Sequence, residues 1–317
     1  MRLLVTRRMT DTVMAEARAR FDVTLRDSDR PMDSDECAAA LRDFDLILPT
    51  LGDAFRAPAF DQVPAPRARV LANFGVGYNH IDVEAAHTAG VIVTNTPGAV
   101  TEATADLALC LMLMTARRAS EGERMLRAGE WTGWQPTQLL GLHMSGKRLG
   151  ILGMGRIGKA IARRAHHGFA MEILFFNRSP VTGLDHPAVR LDSIAEVMRA
   201  CDIVVVALPG GPATRHIVGA AEIAAMRPHA HLVNIARGDV IDEAALIEAL
   251  AQGRIAGAGL DVYEHEPHVP EALRALRNVT LLPHLGTNAE EVRTAMGRMA
   301  LANLIAVADG KDPPNRV

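Results

Sequence analysis

Cysteine is scarce in this chain of 317 residues, and the three that are present form no pair of the kind that binds zinc or closes a disulfide. Cys37, Cys110 and Cys201 lie far apart, and there is no CxxC pair. So few cysteines, odd in number, are typical of a reducing compartment, and we expect a cytoplasmic location with no disulfide and no metal site. We also expect the three thiols to be packed in the interior, as free cysteines usually are.

Long apolar runs and clusters of basic residues are also missing. The longest apolar block, residues 107–114, is far shorter than the roughly 20 residues that a membrane-spanning helix needs. The start, MRLLVTRRMT, has too short an apolar stretch for a signal peptide. The net charge is −3 and the only lysines are Lys147, Lys159 and Lys311. Because binding to nucleic-acid phosphates requires clustered positive charge, the sequence argues against nucleic-acid partners as well as membranes.

The composition, with 49% apolar residues, is sufficient for folded cores, and the length predicts about two domains at about 100 to 200 residues each. Short β-rich runs alternate with helical patterns, for example at residues 11–20 and 81–90. This alternation predicts βαβ units, mostly parallel sheets and an α/β fold. The predicted strands lie in RLLVT, DVTLR, LILPT, RVLANF and VIVTN, and then in KRLGILGMGRIG, EILFFN, DIVVVALP, HLVNIA, GAGLDV and VTLLPH.

One long helix is predicted between the two sets of strands, over residues 101–129. Thr101 is its expected N-cap, and Glu102 lies in its first turn. We interpret this helix as the bridge between two domains.

Three glycines open the second set of strands. Gly153, Gly155 and Gly158 follow a predicted strand in GxGxxG order and precede a predicted helix, which is the context of a dinucleotide-binding turn. Gly153 permits the tight turn, Gly155 lets the backbone approach a pyrophosphate, and Gly158 allows close packing of the helix. The N-terminus of that helix favours phosphate charge. The sequence therefore predicts a nicotinamide dinucleotide site.

The end of the next strand predicts which nicotinamide cofactor is used. An Asp or Glu at this place would bind the ribose 2′-hydroxyl, but the chain has Asn177, followed by Arg178 and Ser179. A guanidinium and a hydroxyl can form charge-assisted hydrogen bonds to a 2′-phosphate. We therefore predict a preference for NADP(H), with NAD(H) as the alternative. Arg178 could instead be an ordinary solvent-exposed arginine at the end of a strand.

Three chemically distinct side chains follow three later strands. Arg237 occurs in VNIARGD, Glu266 in GLDVYEHEP and His284 in LLPHLG. Because parallel strands end at one edge of a sheet, these side chains are expected to emerge together at the edge where α/β folds bind ligands. A guanidinium can bind a carboxylate, an imidazole can transfer a proton, and a carboxylate can orient that imidazole. Taken singly, each could instead be a structural residue, and Glu264 competes with Glu266 as the partner of His284.

The motifs together resemble a known family. NFGVGYNHID, NTPGAVTEATADLAL, LGILGMGRIG, VNIARGDVID, GLDVYEHEP and LLPHLG are similar to those of the D-isomer-specific 2-hydroxyacid dehydrogenases, and most of all to the glyoxylate/hydroxypyruvate reductases, also called glycerate dehydrogenases. The resemblance covers nearly the whole chain. It implies catalytic roles for Arg237, Glu266 and His284. His284 would protonate the substrate carbonyl as hydride arrives, Glu266 would hold His284, and Arg237 would bind the substrate carboxylate.

The resemblance also implies further site residues. Val76 and Gly77 would bind the substrate carboxylate through their backbone amides. The residues expected to bind the cofactor are Thr104, Gly153, Gly155, Arg156, Ile157, Gly158, Asn177, Arg178, Ser179, Pro209 and Asp261. The family usually has a bulkier residue and a threonine after the proline, whereas this chain has Gly210, Gly211 and Pro212, which predicts a looser loop.

The resemblance implies two Rossmann-like domains with the active site in the cleft between them. Residues 1–98 plus 284–317 would form the substrate domain, and residues 99–283 the dinucleotide-binding domain. It further implies a homodimer through the cofactor domain, in which Trp131 or Trp134 would reach the neighbouring subunit's site; an ordinary core or interface role is the alternative. The expected activity is NAD(P)H-dependent reduction of a small 2-keto acid, glyoxylate or hydroxypyruvate, to the D-2-hydroxy acid. The alternatives are a sibling dehydrogenase of the D-lactate, phosphoglycerate or phosphite type, and a non-enzymatic dinucleotide-sensing binding protein.

Overall fold

The computed structural model describes residues 1–317 and divides into two compact units. Met1–Val100 and Thr287–Val317 form the first unit, and Thr101–Gly286 form the second. The predicted boundaries, at residues 98 and 283, differ from these limits by two and three residues. His284 therefore belongs to the second unit, together with Arg237 and Glu266.

The first unit contains a sheet of five parallel strands in the order β2-β1-β3-β4-β5. Its strands are short, and four of the five contribute a buried apolar side chain to the core between sheet and helices. The strands are β1 (Arg2–Val5), β2 (Asp22–Leu25), β3 (Leu46–Leu48), β4 (Val70–Ala72) and β5 (Ile92–Thr94).

The second unit contains a sheet of seven parallel strands in the order β12-β11-β10-β9-β6-β7-β8. The strands are β6 (Arg148–Leu152), β7 (Glu172–Phe176), β8 (Ala188–Arg190), β9 (Ile203–Val206), β10 (His231–Asn234), β11 (Gly257–Leu260) and β12 (Val279–Leu281). After β8 the chain crosses back to the other side of β6, so the strand order reverses between β6 and β9. This is the doubly wound, Rossmann-like arrangement, and a ligand site is expected at the reversal, beyond the carboxyl ends of the strands.

Helices connect the strands of both sheets. They are α1 (Asp11–Arg20), α2 (Ser34–Asp43), α3 (Ala57–Asp61), α4 (Val83–Thr88), α5 (Thr101–Ala116), α6 (Ala119–Arg127), α7 (Arg156–Phe169), α8 (Ile194–Ala200), α9 (Ala220–Ala224), α10 (Glu243–Ala251), α11 (Glu271–Arg274) and α12 (Glu290–Ala308). A short 3₁₀ helix spans Gly238–Val240. The predicted α/β fold with parallel sheets is confirmed, and no helix has the length and apolar character needed to cross a membrane.

The long helix predicted over residues 101–129 is two helices, α5 and α6. The carbonyl oxygen of Ala116 accepts a hydrogen bond from the amide of Leu142 at 2.7 Å. Arg118 has a φ of 52°, which a continuing helix cannot accommodate. A contact distant in sequence thus ends α5, and the helical pattern alone gave no sign of it.

The strand β8 and the position of one cysteine also differ from expectation. β8 has three residues at the sheet edge, two of them exposed, so it lacks the apolar run by which the other strands were recognised. Cys37 and Cys201 are buried as predicted, but Cys110 is exposed on α5.

Candidate active site

The glycine-rich turn joins β6 to α7 at the point where the strand order reverses. Gly153 has a φ of 99°, and a Cβ there would lie 2.7 Å from the carbonyl oxygen of Ala207, just beyond β9. A Cβ on Gly158 would lie 2.2 Å from the carbonyl oxygen of Gly153. Both glycines are therefore required by the fold of the turn itself.

Gly155 is different, because nothing within the protein requires a glycine there. A Cβ on Gly155 would meet no atom within 4 Å, and the residue has an ordinary φ of −78°. The helix α7 begins directly after Gly155. The amides of its first residues, Arg156 and Ile157, have no carbonyl within the helix to which they could donate a hydrogen bond. Open space over a helix N-terminus fits the pyrophosphate of a dinucleotide.

The end of β7 lies next to this turn. The side chain of Asn177 accepts a hydrogen bond from the amide of Met154 at 3.1 Å and donates one to the carbonyl of Ser179 at 2.8 Å. Asn177 thus connects the glycine turn to the residues that follow β7. Arg178 and Ser179 are exposed.

Arg190 is a residue of this region that sequence reasoning missed. From the end of β8 its guanidinium donates to the carbonyl oxygens of Asn177, at 3.0 Å, and Arg178, at 3.4 Å. Only the pairing of β7 with β8 brings Arg190 here. A second guanidinium therefore lies at the end of β7 beside Arg178.

The loop after β9 is closed by a residue that the sequence analysis overlooked. The hydroxyl of Thr214 donates to the carbonyl oxygen of Pro209 at 2.7 Å and lies 3.2 Å from that of Gly211. The Gly210–Gly211 departure from the family pattern is thus accommodated by a hydrogen-bonded turn, with Gly211 at a φ of 136°.

Three adjacent parallel strands carry the proposed redox residues. Arg237 follows β10, Asp261 and Glu266 follow β11, and His284 follows β12. Since all strands of this sheet run in the same direction, the four side chains begin from one edge, which is also the edge of the glycine turn. The sequence predicted this placement for Arg237, Glu266 and His284.

His284 and Glu266 form a direct pair. His284 Nδ1 lies 2.8 Å from Glu266 Oε2, and both side chains are about one-third exposed, at 31% and 29%. Glu266 Oε1 also accepts a hydrogen bond from the amide of Tyr263 at 3.1 Å. With the carboxylate accepting at Nδ1, that nitrogen carries a proton and Nε2 is the atom that can serve a ligand.

The competing carboxylate is engaged elsewhere. Glu264 Oε1 lies 2.8 Å from His216 Nε2 and 3.2 Å from a guanidinium nitrogen of Arg215. Glu266, which the resemblance had favoured over Glu264, is therefore the partner of His284.

The surroundings of Glu266 keep it ionised. Burial alone would raise the pKa of the Glu266 carboxyl, but the hydrogen bond and charge of His284, the amide of Tyr263 and the charge of Arg237 together lower that pKa below its ordinary value. Burial lowers the pKa of the Arg237 guanidinium, while the negative charges of Glu266 and Asp239 oppose this effect. An arginine remains cationic in proteins, so the site combines a fixed cation with an oriented imidazole.

Asp261 and Thr104 hold the backbone around His284. The amide of His284 donates to the Asp261 carbonyl at 2.9 Å, and the Asp261 carboxylate accepts from the amides of Leu285, at 2.6 Å, and Gly286, at 2.9 Å. The hydroxyl of Thr104 donates to the carbonyl of Gly286 at 3.1 Å. His284 has a φ of 55°, a left-handed conformation that a side-chain-bearing residue keeps only when its neighbours enforce it.

Gly238 allows the residue after Arg237 to pack closely against the segment that contains Glu266. A Cβ on Gly238 would lie 1.8 Å from the carbonyl carbon of Tyr263 and 2.3 Å from the amide nitrogen of Glu264. No side chain fits there, so the residue after Arg237 packs directly on the backbone that leads to Glu266. The ARGD sequence contained this glycine, but its contact was invisible without the fold.

In the first unit, the loop after β4 has carbonyl groups that accept hydrogen bonds and two amides that donate none. Asn73 donates to the carbonyls of Gly75, at 3.0 Å, and Gly77, at 3.1 Å, and Asn95 donates to that of Val76 at 2.9 Å. The amides of Val76 and Gly77 donate no hydrogen bond within the chain. Asn73 and Asn95 are buried, and sequence reasoning gave neither of them a role.

Comparison with known proteins agrees with this geometry. Residues 109–286 match the family model for the D-isomer specific 2-hydroxyacid dehydrogenase, NAD binding domain. A glyoxylate reductase from Thermococcus gammatolerans is 40% identical over 321 residues, which cover 100% of this chain and 95% of that protein.

Solved structures are similar over the whole length. One is an NADPH-dependent glyoxylate/hydroxypyruvate reductase from Sinorhizobium meliloti in complex with NADP and malonate, with a TM-score of 0.88, 36% identity and coverage of 100% of this chain and 96% of that one. Another is a glyoxylate reductase from Paecilomyes thermophila, with a TM-score of 0.86, 32% identity and coverage of 100% and 98%. With its glycine turn, its ordered strand-end residues and these full-length similarities, the chain belongs to the D-isomer specific 2-hydroxyacid dehydrogenases, a family of nicotinamide-dependent oxidoreductases.

Proposed function

We propose that this protein reduces a small 2-keto acid, with glyoxylate and hydroxypyruvate as the first substrates, to the D-2-hydroxy acid. The observation that carries the proposal is the 2.8 Å pair of His284 and Glu266 beside Arg237, at the sheet edge that also holds the glycine turn. The names of the similar proteins support the substrate class.

His284 is the proposed proton donor. When bound, the nicotinamide supplies hydride to the 2-keto carbon. His284 then transfers the proton from Nε2 to the carbonyl oxygen, so that the N–H bond breaks, the C=O double bond becomes a single bond, and one C–H and one O–H bond form. Glu266, ionised and bonded to Nδ1, orients the ring and stabilises its protonated form before the transfer. In the oxidation direction the neutral imidazole takes the same proton back.

Arg237 is the proposed anchor for the substrate carboxylate. Its planar guanidinium can bind a carboxylate through two parallel hydrogen bonds, a geometry that lysine does not offer. Its one hydrogen bond within the chain, to the carbonyl of Ala236 at 2.6 Å, uses a single nitrogen. The roles of Val76 and Gly77 in carboxylate binding stay a prediction, which their free amides support.

NADP(H) is the proposed cofactor, in preference to NAD(H). Asn177 replaces the carboxylate that would bind a ribose 2′-hydroxyl, and its amide group is bonded within the turn. Arg178 and Arg190 supply two positive charges at the end of β7. These charges favour the 2′-phosphate that distinguishes NADP(H).

A homodimer formed through the second unit is also proposed. Large apolar side chains of this unit are unusually exposed along one stretch of sequence: Leu126 (61%), Trp131 (50%), Trp134 (80%) and Leu140 (66%). Large apolar side chains exposed in this way are candidates for a contact with another chain. Neither tryptophan is a core residue, which removes one of the alternatives from the sequence analysis.

One experiment tests the activity. The purified protein would be mixed with NADPH or NADH and with glyoxylate, hydroxypyruvate, pyruvate or phenylpyruvate, and loss of nicotinamide absorbance would be followed. We expect the highest kcat/KM with NADPH and one of the two small substrates. A protein that binds NADPH but turns over none of these acids would be a binding protein, and a marked preference for another acid would indicate a sibling dehydrogenase.

A further inference from the structure

Asn73, directly after β4, is a buried residue whose side chain has two hydrogen bonds on one atom and none on the other. It is 1% exposed. Its side-chain nitrogen donates to the carbonyl oxygens of Gly75, at 3.0 Å, and Gly77, at 3.1 Å. Its side-chain oxygen is buried and has no hydrogen-bond partner. A buried polar atom without a partner is destabilising, and such atoms are few in native proteins. The stability of the first unit alone therefore does not explain this asparagine.

The carbonyls that Asn73 binds lie on either side of the Val76 residue. The carbonyl of Gly75 also accepts a hydrogen bond from the amide of Thr96 at 3.0 Å, and that of Gly77 is bound by Asn73. The peptide bonds of this loop are trans. In a trans peptide, the C=O group and the N–H group of the next residue lie in one plane and point in opposite directions. Because the Gly75 carbonyl points toward Asn73, the N–H group of Val76 must point away from it.

A second buried asparagine binds the carbonyl between these two. The side chain of Asn95, which follows β5, donates to the carbonyl oxygen of Val76 at 2.9 Å. By the same geometry, the N–H group of Gly77 points away from Asn95. The amides of Val76 and Gly77 donate no hydrogen bond within the chain. Two consecutive amides are thus oriented through the carbonyls of their peptide groups and left available to an acceptor outside the chain, such as a carboxylate.

We propose that Asn73 is a positioning residue for the substrate: it orients the loop so that the amides of Val76 and Gly77 can donate to the carboxylate of the 2-keto acid. The inference rests on the proposed function. Because Asn73 is buried, it acts through the main chain and does not touch the substrate. An asparagine suits this task since its side chain has two N–H donors on one nitrogen, whereas an ionised aspartate of the same size has none.

This role predicts an effect on KM rather than on kcat. The substrate carboxylate does not react, so its hydrogen bonds to the loop are equally strong before and during hydride transfer. An interaction that is the same in the ground state and the transition state lowers KM and leaves kcat unchanged. A residue that only stabilised the fold would change the Tm without this selective effect on KM. The division between KM and kcat therefore separates a positioning role from a structural one.

The test compares Asn73→Ala and Asn73→Asp with the wild type, as full-length proteins with NADPH and glyoxylate or hydroxypyruvate. Each variant should raise the KM for the keto acid by about tenfold or more, the usual worth of a hydrogen bond to a charged group, and leave kcat almost unchanged. The dissociation constant of NADPH should not change, because the glycine turn is in the second unit. The control is Leu41→Ala, which removes a fully buried side chain of α2 in the first unit. It should lower the Tm and leave KM as in the wild type.

Binding of oxamate, an unreactive analogue of a 2-keto acid, to the NADPH-loaded protein provides a second readout that needs no turnover. Calorimetric titration should show that the Asn73 variants bind oxamate about tenfold or more weakly than the wild type and Leu41→Ala do.

Three results would overturn the inference and leave the proposed function intact. They are a wild-type KM and wild-type oxamate binding in the Asn73 variants, a loss confined to kcat, and a failure of both variants to fold, which would make Asn73 a structural residue. A wild-type protein that neither reduces a 2-keto acid nor binds oxamate would instead remove the proposed function, and this inference with it.

Discussion

At the scale of the residue, one hydrogen bond orients the imidazole on which the proposed chemistry depends. Glu266 holds Nδ1 of His284 at 2.8 Å, and Asp261 fixes the backbone of His284 in its left-handed conformation. Both carboxylates follow the strand β11, but they act differently. Glu266 orients the side chain of His284, and Asp261 orients its main chain. The reach of Nε2 to a substrate oxygen depends on both.

Replacing His284 with alanine should reduce kcat by about 10²- to 10⁴-fold, the usual contribution of a positioned acid. Binding of NADPH should be nearly unchanged, because the glycine turn is formed by other residues. Steady-state kinetics and titration of NADPH fluorescence would measure the two quantities. His143→Ala, which changes an exposed histidine of the same unit, is the control, and a His284→Ala variant with wild-type turnover would remove the proposed acid.

Glu266 predicts a specific dependence of stability on pH. Its pKa is lowered in the folded protein, so the folded state favours the ionised form, and this contribution is present above the unfolded pKa and lost as pH falls through the folded pKa. Between about pH 5 and pH 3, the Tm of the wild type should therefore fall more than that of Glu266→Gln. Scanning calorimetry of both proteins measures this, and parallel Tm curves would contradict it.

The position of Arg178 predicts that the protein prefers NADP(H) to NAD(H). Arg178→Ala should lower kcat/KM for NADPH by about tenfold or more, the usual worth of a hydrogen bond to a charged group, and leave that for NADH almost unchanged. Arg199→Ala, at another exposed position of the second unit, should alter neither value. Equal losses with both cofactors would show that Arg178 does not bind the 2′-phosphate.

At the scale of the element, α7 and its N-cap contain three glycines whose requirements differ. Gly158 is needed by the packing of the turn, and Gly155, the N-cap, faces open space. Gly168, near the C-terminus of the same helix, also has no positive φ, and a Cβ added there would meet nothing within 4 Å. Substitutions at these three glycines can therefore distinguish an effect on folding from an effect on ligand binding.

Alanine substitutions at these three positions should give three different results. Gly155→Ala should retain the wild-type Tm but weaken NADPH binding, because the methyl group would occupy the space of the pyrophosphate. Gly158→Ala should lower the Tm by several degrees, as expected for overpacking that costs about 1 to 3 kcal/mol. Gly168→Ala should keep both properties or raise the Tm slightly, since alanine favours the helix. If Gly155→Ala binds NADPH normally, the cofactor does not lie over this turn.

At the scale of the whole molecule, the exposed apolar stretch of the second unit predicts self-association. Trp134→Ala removes the most exposed of these side chains, 80% accessible in the single chain. It should raise the dimer dissociation constant by about tenfold or more, because buried tryptophans often dominate interfaces. Sedimentation velocity over a range of concentrations would measure this.

The control for this experiment is Val189→Ala, which changes another exposed apolar residue, 58% accessible, on the edge strand β8. It should leave the association state unchanged. A wild-type protein that sediments as a monomer at all concentrations would contradict the proposed dimer.

Much of the fold and part of the site could be predicted from the order of residues. Apolar runs such as those of β6 and β9 predict buried parallel strands because their residues must leave water, and the glycine spacing at Gly153 identifies the turn that follows. Arg237, Glu266 and His284 were placed at one edge because parallel strands end there. The break between α5 and α6 was missed, since it depends on the amide of Leu142.

The order of residues therefore specified the succession of strands and helices and the chemical groups at the strand ends, because hydrophobic pattern and glycine spacing are local properties. Which of these groups meet is a property of the folded chain. The fold assigned Glu266 rather than Glu264 to His284, brought Arg190 to the end of β7, and joined the side chain of Asn95 to the carbonyl of Val76. These contacts join residues distant in sequence, and hydrogen-bond geometry that acts over a few ångströms selects among partners that composition cannot distinguish.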